Sequence, residues 1–254
     1  MSIEKEKIYD QDGIRAFRVS YDVFNVPSNM LTVQFDKMRL AVSGLDGVRK
    51  NVLAAANCHT PKALWSVLHE SDTNWRTYAA DCLKACDLEL DSSLALLTGV
   101  NMRELAFAEE RERDVHVRVW ATAGTNTNAI SAGLDNCDSY FADVMKHKAG
   151  TINLIIVYNQ NLSQASLISA FIMATEAKSN VLRAESITSA YTKDLPATGT
   201  GTDQIIAVSG PDDGCEPITC YGGHTLLGHL TATAVYKAVK KSLEESFKVW
   251  GRRS

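Results

Sequence analysis

The chain has no long basic run, and its net charge is −4 over 254 residues. Nucleic-acid phosphates recruit basic stripes and patches, so no nucleic-acid partner is expected. No apolar stretch reaches the length of a bilayer; runs such as Leu154 to Tyr158 are only strand-length, so no membrane partner is expected either. The first residues, Met1 to Lys7, are charged and lack the apolar centre of a signal peptide. A cytoplasmic protein is therefore expected, with its six cysteines reduced. None of the cysteine pairs has C-x-x-C spacing. Cys82 and Cys86 would share a helix face, Cys215 and Cys220 flank a loop containing Pro217, and no histidine stands beside them at ligand spacing. No metal site is expected. The G-x-S-x-G elbow, the H-E-x-x-H motif and the phosphate-binding G-x-x-x-x-G-K-[ST] loop are all missing.

What is present is ordinary for a globular chain: 45% hydrophobic and 22% charged residues, enough for one domain spanning 1–254 with a substantial core. The early part reads as strands at Ile14 to Ser20, Met30 to Phe35 and Met38 to Ser43, with a turn at Gly44 to Gly47. Thr73 to Leu88 reads as a helix, Leu94 to Leu97 as a short buried strand, and Glu104 to Arg113 as a charged, exposed helix. Asp114 to Ala123 reads as a strand, with Val115, Val117 and Val119 alternating with His116, Arg118 and Trp120. Thr151 to Tyr158 is apolar enough to be buried on both faces. Ser163 caps a helix running to about Ala184, Gln204 to Val208 is a further buried strand, and a last helix starts near Thr225 and runs almost to the end. Residues 135–149 read as a surface loop. Strands cluster early and alternate with helices late. The fold class is therefore α+β, a layered sandwich with a mixed β-sheet covered by helices, with α/β as the alternative.

Four polar clusters lie at element ends or inside apolar helices: Thr122 to Ala129, Thr175 to Lys178, Ala197 to Asp203, and Tyr221 to Thr225. The glycine–threonine loop Ala197 to Asp203 can bring backbone N–H groups to an anion or an oxyanion; the same residues also make a plain tight loop. Glu176 and Lys178 are two apart and point to different faces of their helix. His224 precedes a helix N-terminus, which favours a neutral imidazole able to take a proton. That makes His224 the first candidate for acid–base catalysis, with Glu176 second and Asp203 as its orienting or acid partner. His224 and the Thr200 to Asp203 loop are expected to share a cleft with the Asn126 to Asn128 loop. His59 has no partner at motif spacing and is given no role.

Taken in order, the runs Thr122 to Ala129, Gly150 to Val157 (GTINLIIV), Thr175 to Lys178 (TEAK), Ala197 to Asp203 (ATGTGTD) and Gly223 to Gly228 resemble the adenosylcobinamide amidohydrolase family over roughly residues 115–240. The resemblance implies hydrolysis of the aminopropanol amide of adenosylcobinamide, giving adenosylcobyric acid and aminopropanol in corrinoid salvage. The corrinoid is then a substrate and no cofactor is expected. The D-x-H-x-x-G pattern of cobamide-dependent enzymes starts at Asp114 but fails at Val119. A substrate rich in carboxamides suits Asn126, Asn128 and Asn153, with Lys178, Thr200 and Thr202 as further binding residues. Alternatives are a non-catalytic corrinoid-binding or trafficking protein, and an amidase on an unrelated substrate using a threonine nucleophile. The sequence leaves a homo-oligomer open.

Overall fold

The computed structural model describes residues 3–68, 72–135 and 150–252; the loop expected at 135–149 lies, Asp135 apart, outside them. The strands are β1 (Glu4–Gln11), β2 (Ile14–Val23), β3 (Val26–Ser43), β4 (Gly47–His59), β5 (Ser93–Thr98), β6 (Ala106–Glu112), β7 (Val115–Ala123), β8 (Ala129–Ile130), β9 (Ile152–Tyr158), β10 (Gly199–Thr200) and β11 (Gln204–Val208). The helices are α1 (Trp65–Leu68), α2 (Asp72–Ala85), α3 (Gln164–Ala184) and α4 (Leu226–Trp250).

Nine strands form one mixed sheet, and its bend comes from β3. The main path runs β1-β2-β3-β11-β9-β7-β6, while β4 pairs with the other side of β3 and then with β5. Along its first part β3 pairs antiparallel with β2, and at its end Ala41 to Ser43 pair with Val208 to Ile206 of β11. The register slips between Gln34 and Arg39. Such an irregularity bends a strand and raises its twist, so the two halves of the sheet curl over and face each other. Between them lies a core of Leu31, Val33, Leu94, Leu96, Trp120, Ile155 and Ile206. The outer face of β7, β9 and β11 carries α3 and α4, and α2 covers the outer side of β2 to β4 with Tyr78, Cys82 and Leu83. The expected α+β sandwich, a mixed sheet covered by helices, is the observed class.

The helix boundaries follow their caps. Ser163 Oγ accepts from Ser166 N at 3.2 Å, and Thr225 Oγ1 accepts from Gly228 N at 3.1 Å; each cap is worth about 1 kcal/mol. On α3, Leu167, Ala174 and Val181 are fully buried, and on α4 Val235, Val239 and Leu243.

Several expectations are corrected. The charged helix at Glu104 to Arg113 is instead strand β6, paired antiparallel to β7 from Ala106↔Ala121 to Glu112↔Val115. It is an edge strand, where charge is tolerated because it discourages further pairing. The separate strands at Met30 to Phe35 and Met38 to Ser43 are one strand, β3. Two strands of the large sheet, β1 and β4, carry no expectation, nor do the two-residue strands β8 and β10. Both sides of β7 are covered, the second by the facing half of the sheet. Arg118 on that side is fully buried and pairs with Asp12 and with Glu109 at 3.2 Å, and with Tyr9 Oη at 2.5 Å.

Candidate active site

Three of the four polar runs meet at one end of the sheet around the Asp203 carboxylate. Its Oδ2 accepts from Lys178 Nζ at 2.5 Å and from Thr200 N at 3.0 Å; its Oδ1 accepts from Ile152 N at 2.9 Å and from the Thr200 hydroxyl. Lys178 comes from α3, Thr200 from β10 and Ile152 from the first residue of β9, so one carboxylate joins three elements. The Lys178 and Asp203 side chains are 9% and 15% exposed. Gly199 is required by space: a Cβ there would stand 2.5 Å from Asp203 Oδ2 and 2.7 Å from Lys178 Nζ.

Asn128 extends this scaffold. Its Nδ2 donates to Gly150 O at 3.0 Å and reaches Thr202 Oγ1 at 3.4 Å, while its Oδ1 accepts from Tyr191 Oη at 3.0 Å. Thr202 Oγ1 also donates to Gly150 O at 3.1 Å. Asn153 is buried at 1% exposure in the seam between the two sheet halves. Its Nδ2 donates to Asn57 Oδ1 and to Leu97 O, both at 2.9 Å, and Asn57 Nδ2 donates to Thr122 Oγ1 at 2.8 Å. Buried amides are stabilising when their donors and acceptors are matched in this way. Asn153 and Asp203 thus already spend their polar atoms on the protein.

A cavity of about 640 Å³ opens beside this scaffold. Gly124, Asn126, Thr127 and Gly150 form one wall, Gly99 to Asn101 with Arg103 and Glu104 another, and Trp65, Val249 and Trp250 supply apolar surface. Asn126 is half-buried and donates from Nδ2 to Gly251 O at 3.2 Å. Two titratable lining residues carry unpartnered buried atoms, His59 Nδ1 and Glu104 Oε2. Burial, reinforced by the charge of Arg103, pushes the His59 imidazole down to about 4, so it is neutral at neutral pH. Glu104 is 1% exposed. Its backbone is anchored by Ser242, whose Oγ donates to Glu104 O at 2.7 Å and accepts from Ala123 N at 2.8 Å. Its Oε1 receives a long 3.4 Å bond from Trp250 Nε1. Neither residue is reached by motif reasoning. The available signals are weak: His59 pairs with Thr98 at the end of β5, and Glu104 is an acid set among Met102, Leu105 and Ala106. Among the described residues no three His, Cys, Asp or Glu side chains gather in a metal-binding group, and no helix is long and apolar enough to cross a membrane.

The expected convergence holds for the Asn126 to Asn128 and Thr200 to Asp203 loops and fails for His224. Asn126 bonds to Gly251, just past the C-terminal end of α4, whereas His224 stands just before its N-terminal end. The intervening 25 residues span about 37 Å. Likewise Asp203 holds the first residue of β9, while Tyr221, three residues before His224, meets Tyr158 Oη at the last residue at 2.9 Å. Seven strand residues place those ends about 20 Å apart. His224 and His229 are exposed, as is Glu176 on α3. The Gly223 to Gly228 run has a packing reason instead: a Cβ on Gly228 would stand 2.0 Å from Gly222 O.

The geometry defines an α+β protein whose glycine-, threonine- and asparagine-rich loops wall a cleft with neutral polar groups and aromatic surface. The family model described as adenosylcobinamide amidohydrolase (CbiZ) matches residues 16–249, and the chain belongs to that family. An uncharacterized protein of Methanocaldococcus jannaschii is 30% identical over 259 residues, covering 96% of this chain and 98% of that one. An adenosylcobinamide amidohydrolase of Methanosarcina mazei is 34% identical over 160 residues, 60% of this chain and 67% of that protein. Among solved structures, the PH0078 protein of Pyrococcus horikoshii aligns over 92% of this chain and 84% of its own, at 14% identity and a TM-score of 0.45.

Proposed function

We propose that the protein hydrolyses the amide that joins a corrin propionate of adenosylcobinamide to aminopropanol, releasing adenosylcobyric acid and aminopropanol in corrinoid salvage. The observation that carries this reading is the assembly of four family-matching runs at one place. Thr122 to Ala129, Gly150 to Val157, TEAK and ATGTGTD are tied together by Asp203, Asn128 and Thr202, and their Gly124, Asn126, Thr127 and Gly150 line the cleft. A volume of about 640 Å³ takes the amide arm and an edge of the macrocycle rather than a whole corrinoid. The apolar walls at Trp65 and Trp250 suit the macrocycle, and Asn101 and Asn126 suit its carboxamides.

In the reaction, water adds to the amide carbonyl, the C–N bond breaks, and the nitrogen leaves with an added proton. The oxyanion needs donors that do not have to be reorganised. His59, neutral at neutral pH, serves as such a donor better than as a base, because a base is most effective when it titrates near the working pH. This reading moves the chemistry away from His224, remote from the cleft, from Glu176, which faces solvent, and from Asp203, whose oxygens are occupied. Lys178, Thr200 and Thr202 then act by shaping the wall. Incubation of the protein with adenosylcobinamide, followed by mass analysis, tests the reading. Stoichiometric aminopropanol and adenosylcobyric acid are expected. Tight corrinoid binding with the amide left intact would overturn hydrolysis in favour of a carrier.

A further inference from the structure

We propose that Glu104 is the recognition site for the amine end of the cleaved arm, with Oε2 accepting from the amide N–H or hydroxyl of the bound substrate and from the ammonium of aminopropanol after cleavage. The inference rests on the amide-hydrolysis reading for the identity of the ligand, but its test does not require turnover. Glu104 sits on the short turn Met102–Glu104, fixed by Ser242 from α4 and by the Asn101 side chain, which accepts from Arg103 N at 3.1 Å. The residue is 1% exposed and lines the cleft, yet Oε2 has no hydrogen-bond partner and no Lys, Arg or His nitrogen stands within ion-pair distance among the described residues. Sealing a carboxylate away from water without a counter-charge is costly, and the cost is removed when a cationic or strongly donating ligand group arrives. The half-buried carboxyls Glu109 and Asp203 both have cationic partners in the fold, Arg118 and Lys178; the more deeply buried Glu104 is left for a ligand. Its one side-chain contact, the 3.4 Å bond from Trp250 Nε1, uses Oε1 and leaves Oε2 available. Lys62 and Arg103 are exposed residues of the same cleft, so a carboxylate product and an ammonium product find opposite charges in it.

Isothermal titration of the whole protein with 1-amino-2-propanol, and with propane-1,2-diol as its uncharged analogue, tests this directly. The amine should bind and the diol should not. Glu104→Gln, which keeps the shape and removes the charge, should weaken amine binding by about tenfold or more. Glu104→Asp, which restores charge on a shorter arm, should bind more tightly than Glu104→Gln. Equal amine affinity in wild type and folded Glu104→Gln would overturn the proposal, as would equal binding of diol and amine. Should Glu104→Gln fail to fold, the wild-type comparison of amine and diol together with Glu104→Asp decides: undiminished amine binding by Glu104→Asp with diol bound equally sinks the idea. Amine binding without adenosylcobinamide cleavage would sustain this site while removing the proposed reaction.

Discussion

Asp203→Asn separates a scaffold role from a chemical one. In the fold the Asp203 carboxylate takes four donors: Lys178 Nζ, Thr200 N, Ile152 N and the Thr200 hydroxyl. An asparagine keeps one oxygen but turns an NH₂ group toward two of those donors. The worst consequence falls on Lys178, whose ammonium is left without its counter-charge at 9% side-chain exposure. Removing one partner of a buried pair costs about 3–5 kcal/mol. A chain of this size loses roughly 2–4 °C of melting temperature per kcal/mol, so a fall of roughly 6–20 °C is expected. Calorimetric or circular-dichroism melting measures it. Lys178→Met combined with Asp203→Asn should recover more than half of the loss, because the orphaned charge goes with the lysine. If Asp203→Asn melts within about 2 °C of wild type while turnover disappears, the scaffold argument is wrong and Asp203 belongs to the chemistry.

Three other perturbations follow from the same geometry. His224→Ala should keep wild-type turnover and melting, since His224 is exposed and about 37 Å from Asn126 along α4; a loss of about 10²-fold or more in turnover would return the acid–base role to it. Gly228→Ala should destabilise by about 1–3 kcal/mol in urea melts, because the added methyl meets Gly222 O at 2.0 Å; an unchanged midpoint would show that the Tyr221 to His224 loop moves aside freely. His59 takes a proton near pH 6.5 when unfolded but only near 4 in the fold. Its contribution is complete above pH 6.5 and is lost as the pH falls toward 4, by up to about 3 kcal/mol. Urea unfolding across that range should show the slope in wild type and a flatter one in His59→Gln; identical slopes would refute the burial argument.

The late half of the chain was legible because each element there carries its own local signal. Ser163 and Thr225 announce helix starts by their caps, and the unbroken apolar run at β9 announces a strand covered on both sides. The early half was legible only in part: β2, α2 and β5 were read, but β1, β4 and β6 were not, because their signals are non-local. β6 carries Glu109, Glu110, Arg111 and Glu112, a pattern that suits an exposed helix, and only its pairing with β7 makes it a strand. The bend in β3 splits its apolar pattern into what reads as two strands. The burial of Arg118 depends on the curl that brings β1 and β6 side chains over it. Asn126, which lines the cleft, and Asn128, which bonds behind it, were legible as neighbours because they follow a strand directly, whereas the place of His224 was not: a histidine before a helix fits catalysis and fits a surface loop equally well until the direction of α4 is known.

A division of labour follows from which polar atoms are already spent. The residues that make the motifs conspicuous in sequence, Asp203, Asn128, Thr202 and Lys178, bond almost wholly to one another or to backbone. Atoms bound so completely inside the protein have little left to offer a substrate; on the proposed reading they hold Gly150 and its neighbours at the cleft. Of the buried side-chain atoms without a partner among the described residues, the two that belong to lining residues of this cleft, His59 Nδ1 and Glu104 Oε2, lie on residues that make no motif. A buried unsatisfied group is normally selected against, since it costs about 1–3 kcal/mol and more when charged. The two in the wall of this cleft are the ones a bound molecule could satisfy, and the proposed reaction draws on them rather than on the runs that first draw the eye.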